Sequence, residues 1–146
     1  MKSKPILSGL AVVMLTVILL ASCGGKKSTN SLAPFQPQIT NLQDDFSLQA
    51  TAVQNVTGIF QYVWQNTGTT ATVNQACSMT SGTATLKIYS DTTLTNLVYQ
   101  RNLAANGDSL SSTGTPGSWL IRVELSSCCR TGPGADGNLN FRVQKI

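Results

Sequence analysis

The chain has 146 residues and a formal charge of +4 at pH 7, yet only 11% of its residues are charged and none is histidine. From Ile39 onward, six basic residues (Lys87, Arg101, Arg122, Arg130, Arg142, Lys145) balance six acidic ones (Asp44, Asp45, Asp91, Asp108, Glu124, Asp136), which leaves no basic stripe for nucleic acid. Without imidazole the chain lacks the usual general base and the commonest metal ligand, and its low charge with abundant Thr, Ser, Asn and Gln argues for an exported β protein over a solvated helical one.

The chain opens with Lys2 and Lys4, followed by an apolar run from about Ile6 to Leu20. A short basic start and roughly 15 apolar residues form the layout of a secretory signal peptide, whereas a spanning helix needs about 20. The run closes on Leu20-Ala21-Ser22-Cys23, a branched apolar residue, two small ones and a cysteine. This segment resembles the lipobox of bacterial lipoproteins. The resemblance implies a diacylglycerol thioether on the Cys23 sulfur, cleavage between Ser22 and Cys23, and acylation of the new amine, palmitate being a usual chain. Two or more acyl chains hold a protein stably on a membrane, at about 0.8 kcal/mol per buried methylene. Gly24 stands where an aspartate would signal inner-membrane retention, so the resemblance points to the outer membrane. The expected organisation is a cleaved signal peptide over 1–22, a lipidated cysteine and flexible linker over 23–39, and one domain over 40–146. Lys26 and Lys27 fall in the linker, beside lipid headgroups or in solvent. The stretch 24–38, "GGKKSTNSLAPFQPQ", is rich in turn formers and has no apolar period, as a tether would.

Beyond the linker the hydrophobic period is two. Phe46, Leu48, Ala50 and Ala52 alternate with polar partners; Phe60, Tyr62 and Trp64 share a face opposite Ile59 and Val63. Ala84, Leu86 and Ile88 form a third set, "LVYQRNL" at 97–103 a fourth, Trp119, Ile121, Val123 and Leu125 a fifth, and Leu139, Phe141 and Val143 a sixth. Such alternation marks strands with one buried face. Turn formers recur between them at Asn66-Thr67-Gly68, Ser81-Gly82, Ser90-Asp91, Asn106-Gly107-Asp108 and Gly114-Thr115-Pro116-Gly117. The pattern predicts an all-β antiparallel sandwich of about seven or eight strands, Ig-like or jelly-roll-like. No amphipathic helix is expected after Gly24, and the last two strands are expected to form a hairpin. The order of these segments resembles small β-sandwich domains appended to bacterial exported proteins, a resemblance of strand pattern and turns that implies fold and location and carries over no active site.

Committing Cys23 to lipid leaves Cys77, Cys128 and Cys129 in an oxidising compartment, so one bridge and one thiol are expected. Strand parity places Cys129 inward and favours Cys77–Cys129, with Cys128 the alternative partner if a bulge near residue 126 shifts the facing. A bridge between the neighbours Cys128 and Cys129 is the third arrangement, and three thiolates on a soft metal a fourth.

One glutamate and five aspartates, mostly at turns, provide no carboxylate pair spaced for glycoside hydrolysis. Asp44-Asp45 with a loop carboxylate, and the oxygens of "ADGN" at 135–138, suit calcium, but the same residues suit turns. No enzymatic role and no cofactor are therefore expected. Trp64 and Trp119 align with core residues. Tyr89 and Tyr99 lie beside the apolar stripes and are the expected exposed ligand contacts. The expected partners are the membrane, through Cys23, and an envelope protein; a polysaccharide, bound as carbohydrate modules bind sugar rings, is the alternative.

Overall fold

The computed structural model describes residues 29–129 and 137–146; the expected signal peptide, Cys23, Lys26, Lys27 and residues 130–136 lie outside the described residues. Among the described residues the chain forms nine strands: β1 (Gln38–Leu42), β2 (Asp45–Val53), β3 (Val56–Asn66), β4 (Ala71–Gln75), β5 (Thr83–Tyr89), β6 (Leu97–Asn102), β7 (Gly107–Leu110), β8 (Gly117–Cys128) and β9 (Gly137–Lys145). They build a five-stranded sheet, ordered β1-β2-β9-β4-β7, and a four-stranded sheet, ordered β3-β8-β5-β6. The sheets pack face to face as a β-sandwich.

The pairings nest. β2 pairs antiparallel with β9, β3 with β8, β4 with β7 and β5 with β6. A chain folded back on itself at the β5–β6 turn and then rolled gives this set, which is the jelly-roll arrangement. β8 and β9 accordingly belong to different sheets and do not form the expected hairpin. β8 ends at Cys128 in the four-stranded sheet and β9 begins at Gly137 in the five-stranded one.

The alternation read from sequence sets the core. Phe46, Leu48, Ala84, Leu86, Ile88, Trp119, Ile121, Val123, Leu139, Phe141 and Val143 are buried from the two inner faces. Trp64 and Trp119 meet edge to face at 5.9 Å; their indole N–H groups donate to Leu42 O (3.0 Å) and Thr115 O (2.6 Å). Buried indoles thereby keep their one donor satisfied. β2 departs from strict alternation. A register shift between Ala50 and Val53, with Ala52 at φ 54°, turns Val53 inward and leaves Ala52 exposed.

The fold also begins before residue 40. Thr29 bridges Val56 in parallel, Leu32 is buried, and a 3-10 turn at Ala33–Phe35 leads into β1. Phe35 packs against the core. The end of the expected linker is thus part of the sandwich, held by two apolar residues within a polar stretch.

Candidate functional site

The outer face of the five-stranded sheet is polar. Register places Thr40, Ser47, Arg142, Asn74 and Asp108 in one cross-strand row. The next row holds Asp45, Gln144 and Thr72, with exposed Leu42 and Leu110 at its ends. Arg142 grips Asp45 with two hydrogen bonds, 2.9 Å from Nε to Oδ1 and 2.7 Å from a terminal nitrogen to Oδ2. That contact holds the Asp45 carboxyl below its usual range. Asn74 donates to Asp108. Thr72, Asn74, Asp108, Arg142 and Gln144 line a shallow concavity of about 390 Å³. Its hydroxyl and amide groups can exchange hydrogen bonds with a polar ligand, while its Arg142 charge is already answered by Asp45.

The outer face of the four-stranded sheet differs. One row runs Gln61, Arg122, Lys87, Gln100, and Glu124 lies one step along. Glu124 accepts from Arg122 Nε at 2.7 Å and from Lys87 Nζ at 3.0 Å. Partial burial opposes ionisation of Glu124, but those two cations outweigh it and the carboxyl stays below its usual range. The neighbouring row is apolar: Val63, Leu120, Tyr89 and Leu97. Val63 is 49% exposed, Leu97 45%, and Ile59 on the same face 57%. Tyr89 is half-buried. Leu120, though it points outward between Trp119 and Ile121, is buried under these neighbours.

The expected ligand tyrosines therefore separate. Tyr89 lies on the outer face, as expected. Tyr99 is buried, which corrects the expected exposure. A register shift between Ile88 and Tyr89 breaks the alternation in the β5–β6 pair, and both Val98 and Tyr99 become buried. The Tyr99 hydroxyl bonds Gln75 Oε1 and Ser109 Oγ, each at 2.7 Å, so it serves the core.

The carboxylates considered for calcium are engaged elsewhere. Asp44 accepts from the Thr67 backbone N–H (2.7 Å) and Oγ1 (2.8 Å), with Lys145 Nζ at 3.5 Å. The Thr67 backbone bond is the main reason that its carboxyl lies below the usual range. Asp45 is held by Arg142. Of the loop ligands, residues 135 and 136 lie outside the described residues.

The cysteines differ from the expected Cys77–Cys129 pair and from its Cys77–Cys128 alternative: Cys128 is bonded to Cys129, and Cys77 is a buried thiol. The anticipated bulge exists. Opposite the Val56–Gly58 register shift, Ser126 and Ser127 are both exposed, Ser127 takes φ 44°, and Cys128 turns inward. Cys129 adopts φ 64° where the chain leaves the sheet. Cys77 is engaged with β9 instead, accepting from the Asn140 N–H at 3.2 Å and lying 3.3 Å from its carbonyl oxygen. Burial pushes its thiol up above the ordinary range.

Sequence reading missed the apolar row. Its signal was a departure from alternation: Ile59 and Val63 at outward positions of β3, and Leu120 at an outward position of β8. Comparison of the chain with protein-family models, with curated proteins and with solved structures finds no match.

Proposed function

We propose that the chain is a lipoprotein of the bacterial cell envelope, held by acyl chains on Cys23 and displaying a non-catalytic β-sandwich that binds another protein. The lipobox Leu20-Ala21-Ser22-Cys23 supports the anchor, and Gly24 supports the outer membrane as its address. The observation that carries the binding role is the apolar row Val63–Leu120–Tyr89–Leu97 on an outer sheet face, from which Ile59 is separated by the row of Gln61. Exposed apolar surface bordered by polar residues marks interaction sites; here Val63 and Leu97 are exposed, Tyr89 between them is half-buried, and Gln61, Arg122, Lys87 and Gln100 border the row on one side.

A photo-crosslinking side chain at Leu97, and separately at Gln49 on the polar face, tests this in intact membranes. Discrete protein adducts from position 97 and none from position 49 are the expected outcome. Adducts from neither position, or equally from both, would sink the reading. The second reading, a carbohydrate module on the same anchor, rests on the half-buried ring of Tyr89 on an outer face, one row from the polar Lys87 and Gln100. It predicts retention on polysaccharide that Tyr89→Ala abolishes.

A further inference from the structure

The chain enters the fold at one end of the sandwich. Thr29 donates its N–H to Asn55 O at 3.1 Å and accepts from the Thr57 N–H at 2.9 Å. Between those two, Val56 opens β3 opposite Cys128, the last residue of β8. The other sheet has strand ends at the same level: β2 ends at Val53 opposite Gly137, the first residue of β9, and β4 ends at Gln75 opposite Gly107, the first residue of β7. This near end is therefore formed by the turns at 54–55, 76–82 and 103–106 and by residues 126–129. The far end holds the β1–β2 turn and the stretches 67–70, 90–96 and 111–116.

The two ends differ in charge. Among the described residues, the near-end stretches 29–38, 53–58, 76–84, 102–107, 125–129 and 137–141 contain no Asp, Glu, Lys or Arg. Arg101 reaches this end from β6, a terminal nitrogen lying 3.5 Å from Asn106 O. In sequence, the loop between β8 and β9 adds Arg130 and Asp136, which cancel. The near end exposes small side chains, among them Ser78, Ala104, Ala105, Ser126 and Ser127. Carboxylates begin at mid-height with Asp108 and Glu124 and gather at the far end as Asp44, Asp45 and Asp91.

An anchor on Cys23 limits how such a body can sit. Six residue steps separate Cys23 from Thr29 and span at most about 22 Å. β8 alone has 12 residues and is about 36 Å long, so the domain cannot be inverted onto its far end. Standing and lying are both within reach of the tether. Lys26 and Lys27 favour standing. They precede Thr29 by only three and two residues, and each basic residue at anionic headgroups favours the bound state about fivefold. Lysines held there keep Thr29 within about 7–11 Å of the surface. Lying down would then bring the far-end carboxylates onto the same anionic lipid, whereas standing brings none of the described ones.

We propose that the domain stands on the bilayer on its near end, with the turns at 76–82 and 103–106 and the exposed serines of β8 against phospholipid headgroups. The inference rests on the lipid-anchored reading above. Seated in this way, the apolar row Val63–Leu120–Tyr89–Leu97, in the far half of its sheet, lies about 26 Å above the near end. A protein partner reaches it there clear of the lipid.

Quenching by headgroup nitroxides reads this arrangement. The full chain is expressed with one added cysteine: Ala105→Cys at the near end, Thr113→Cys at the far end, and Thr40→Cys or Gln100→Cys on the two outer sheet faces, all at exposed positions. Cys77 is buried and Cys128 is bonded to Cys129, so a fluorescent maleimide applied to the native protein reports the added thiol, and the unsubstituted chain sets the background. Each protein is extracted from membranes, its mass is read, and it is added to phosphatidylethanolamine–phosphatidylglycerol vesicles carrying nitroxide on some headgroups. Ala105→Cys is expected to lose fluorescence and Thr113→Cys to keep the level it has in nitroxide-free vesicles. Thr40→Cys and Gln100→Cys are expected to be quenched less than Ala105→Cys, and Lys26→Gln with Lys27→Gln to reduce the quenching at 105. In acylated protein, any one of three results overturns the seating and leaves the anchor standing: quenching at 113 equal to that at 105, greater quenching at 40 or 100 than at 105, or quenching at 105 unchanged by loss of the two lysines. Unacylated protein quenched at 105 and not at 113 overturns the anchor alone. Unacylated protein quenched nowhere overturns both.

Discussion

The Tyr99 hydroxyl on β6 meets the Gln75 side-chain oxygen on β4 at 2.7 Å, a buried hydrogen bond that joins the two sheets through the core. Gln75 also donates its amide to Asn102 O at 3.2 Å, and Ser109 Oγ shares the Tyr99 hydroxyl. These three polar residues satisfy one another with the help of backbone carbonyls of both sheets, at Asn102 and Val73.

Tyr99→Phe should therefore lower stability by about 1–3 kcal/mol, the cost of leaving a buried acceptor unsatisfied. Urea unfolding reads this as a lower midpoint with an unchanged slope. Binding of any envelope partner or polysaccharide should be unaffected at temperatures where the variant is folded. A selective loss of binding at full stability would return Tyr99 to the ligand contacts.

Cys77 should resist modification until the protein unfolds. It is buried with its sulfur between backbone groups of β9, and burial favours the neutral thiol over the thiolate that reacts. A raised folded pKa stabilises the fold below the unfolded value of about 8.5, and the contribution fades as pH rises further. Iodoacetamide without reductant should label nothing in the native state and Cys77 after denaturation. Label mapped to Cys128 instead would mean that Cys77 is bridged to Cys129.

Acid should destabilise the domain through its carboxylates. Three Thr and Asn residues hold Asp91, foremost Thr95 through its side chain, and bring its carboxyl down to about 2. Asp44, Asp45 and Glu124 also lie below their usual ranges. A lowered folded pKa contributes stability above the unfolded value of about 4, and that contribution is lost as pH falls through the folded value. Stability should hold between about pH 7 and 5 and fall between about 4 and 2. Asp91→Asn should flatten the lowest part of that decline. A urea midpoint that stays level down to pH 2 would contradict this.

Gly137→Ala should destabilise the junction of β8 and β9. A methyl group at 137 would run into the Cys129 side chain, and overpacking of this kind costs about 1–3 kcal/mol. Thermal unfolding checks it. An unaltered midpoint would mean that the Cys129 side chain lies elsewhere.

Period-two patterning made the sandwich legible because most strands bury one face, so Trp119 to Leu125 and Leu139 to Val143 could be read residue by residue. β1, β4 and β7 were harder. They are short and rich in Thr, Asn, Gln and Ser, and are held by pairing rather than by their own apolar content. The β8–β9 hairpin was misread because adjacency in sequence favours it, whereas nesting of β2 with β9 and β3 with β8 is decided by long-range packing. Tyr99 and the cysteines were misread for a common reason. One register shift in each of the β5–β6 and β3–β8 pairs moves later residues to the other face, and nothing in the local sequence announces it.

The proposed role depends first on Cys23 as the anchor of this sandwich. The most direct test is the intact mass of the protein extracted from membranes, alkylated in denaturant before any reductant is added. Loss of residues 1–22, added acyl mass on Cys23, and one alkyl group, at Cys77, are the expected result. A full-length mass without acyl chains would contradict it, and the apolar segment before Cys23 would then be the membrane attachment itself.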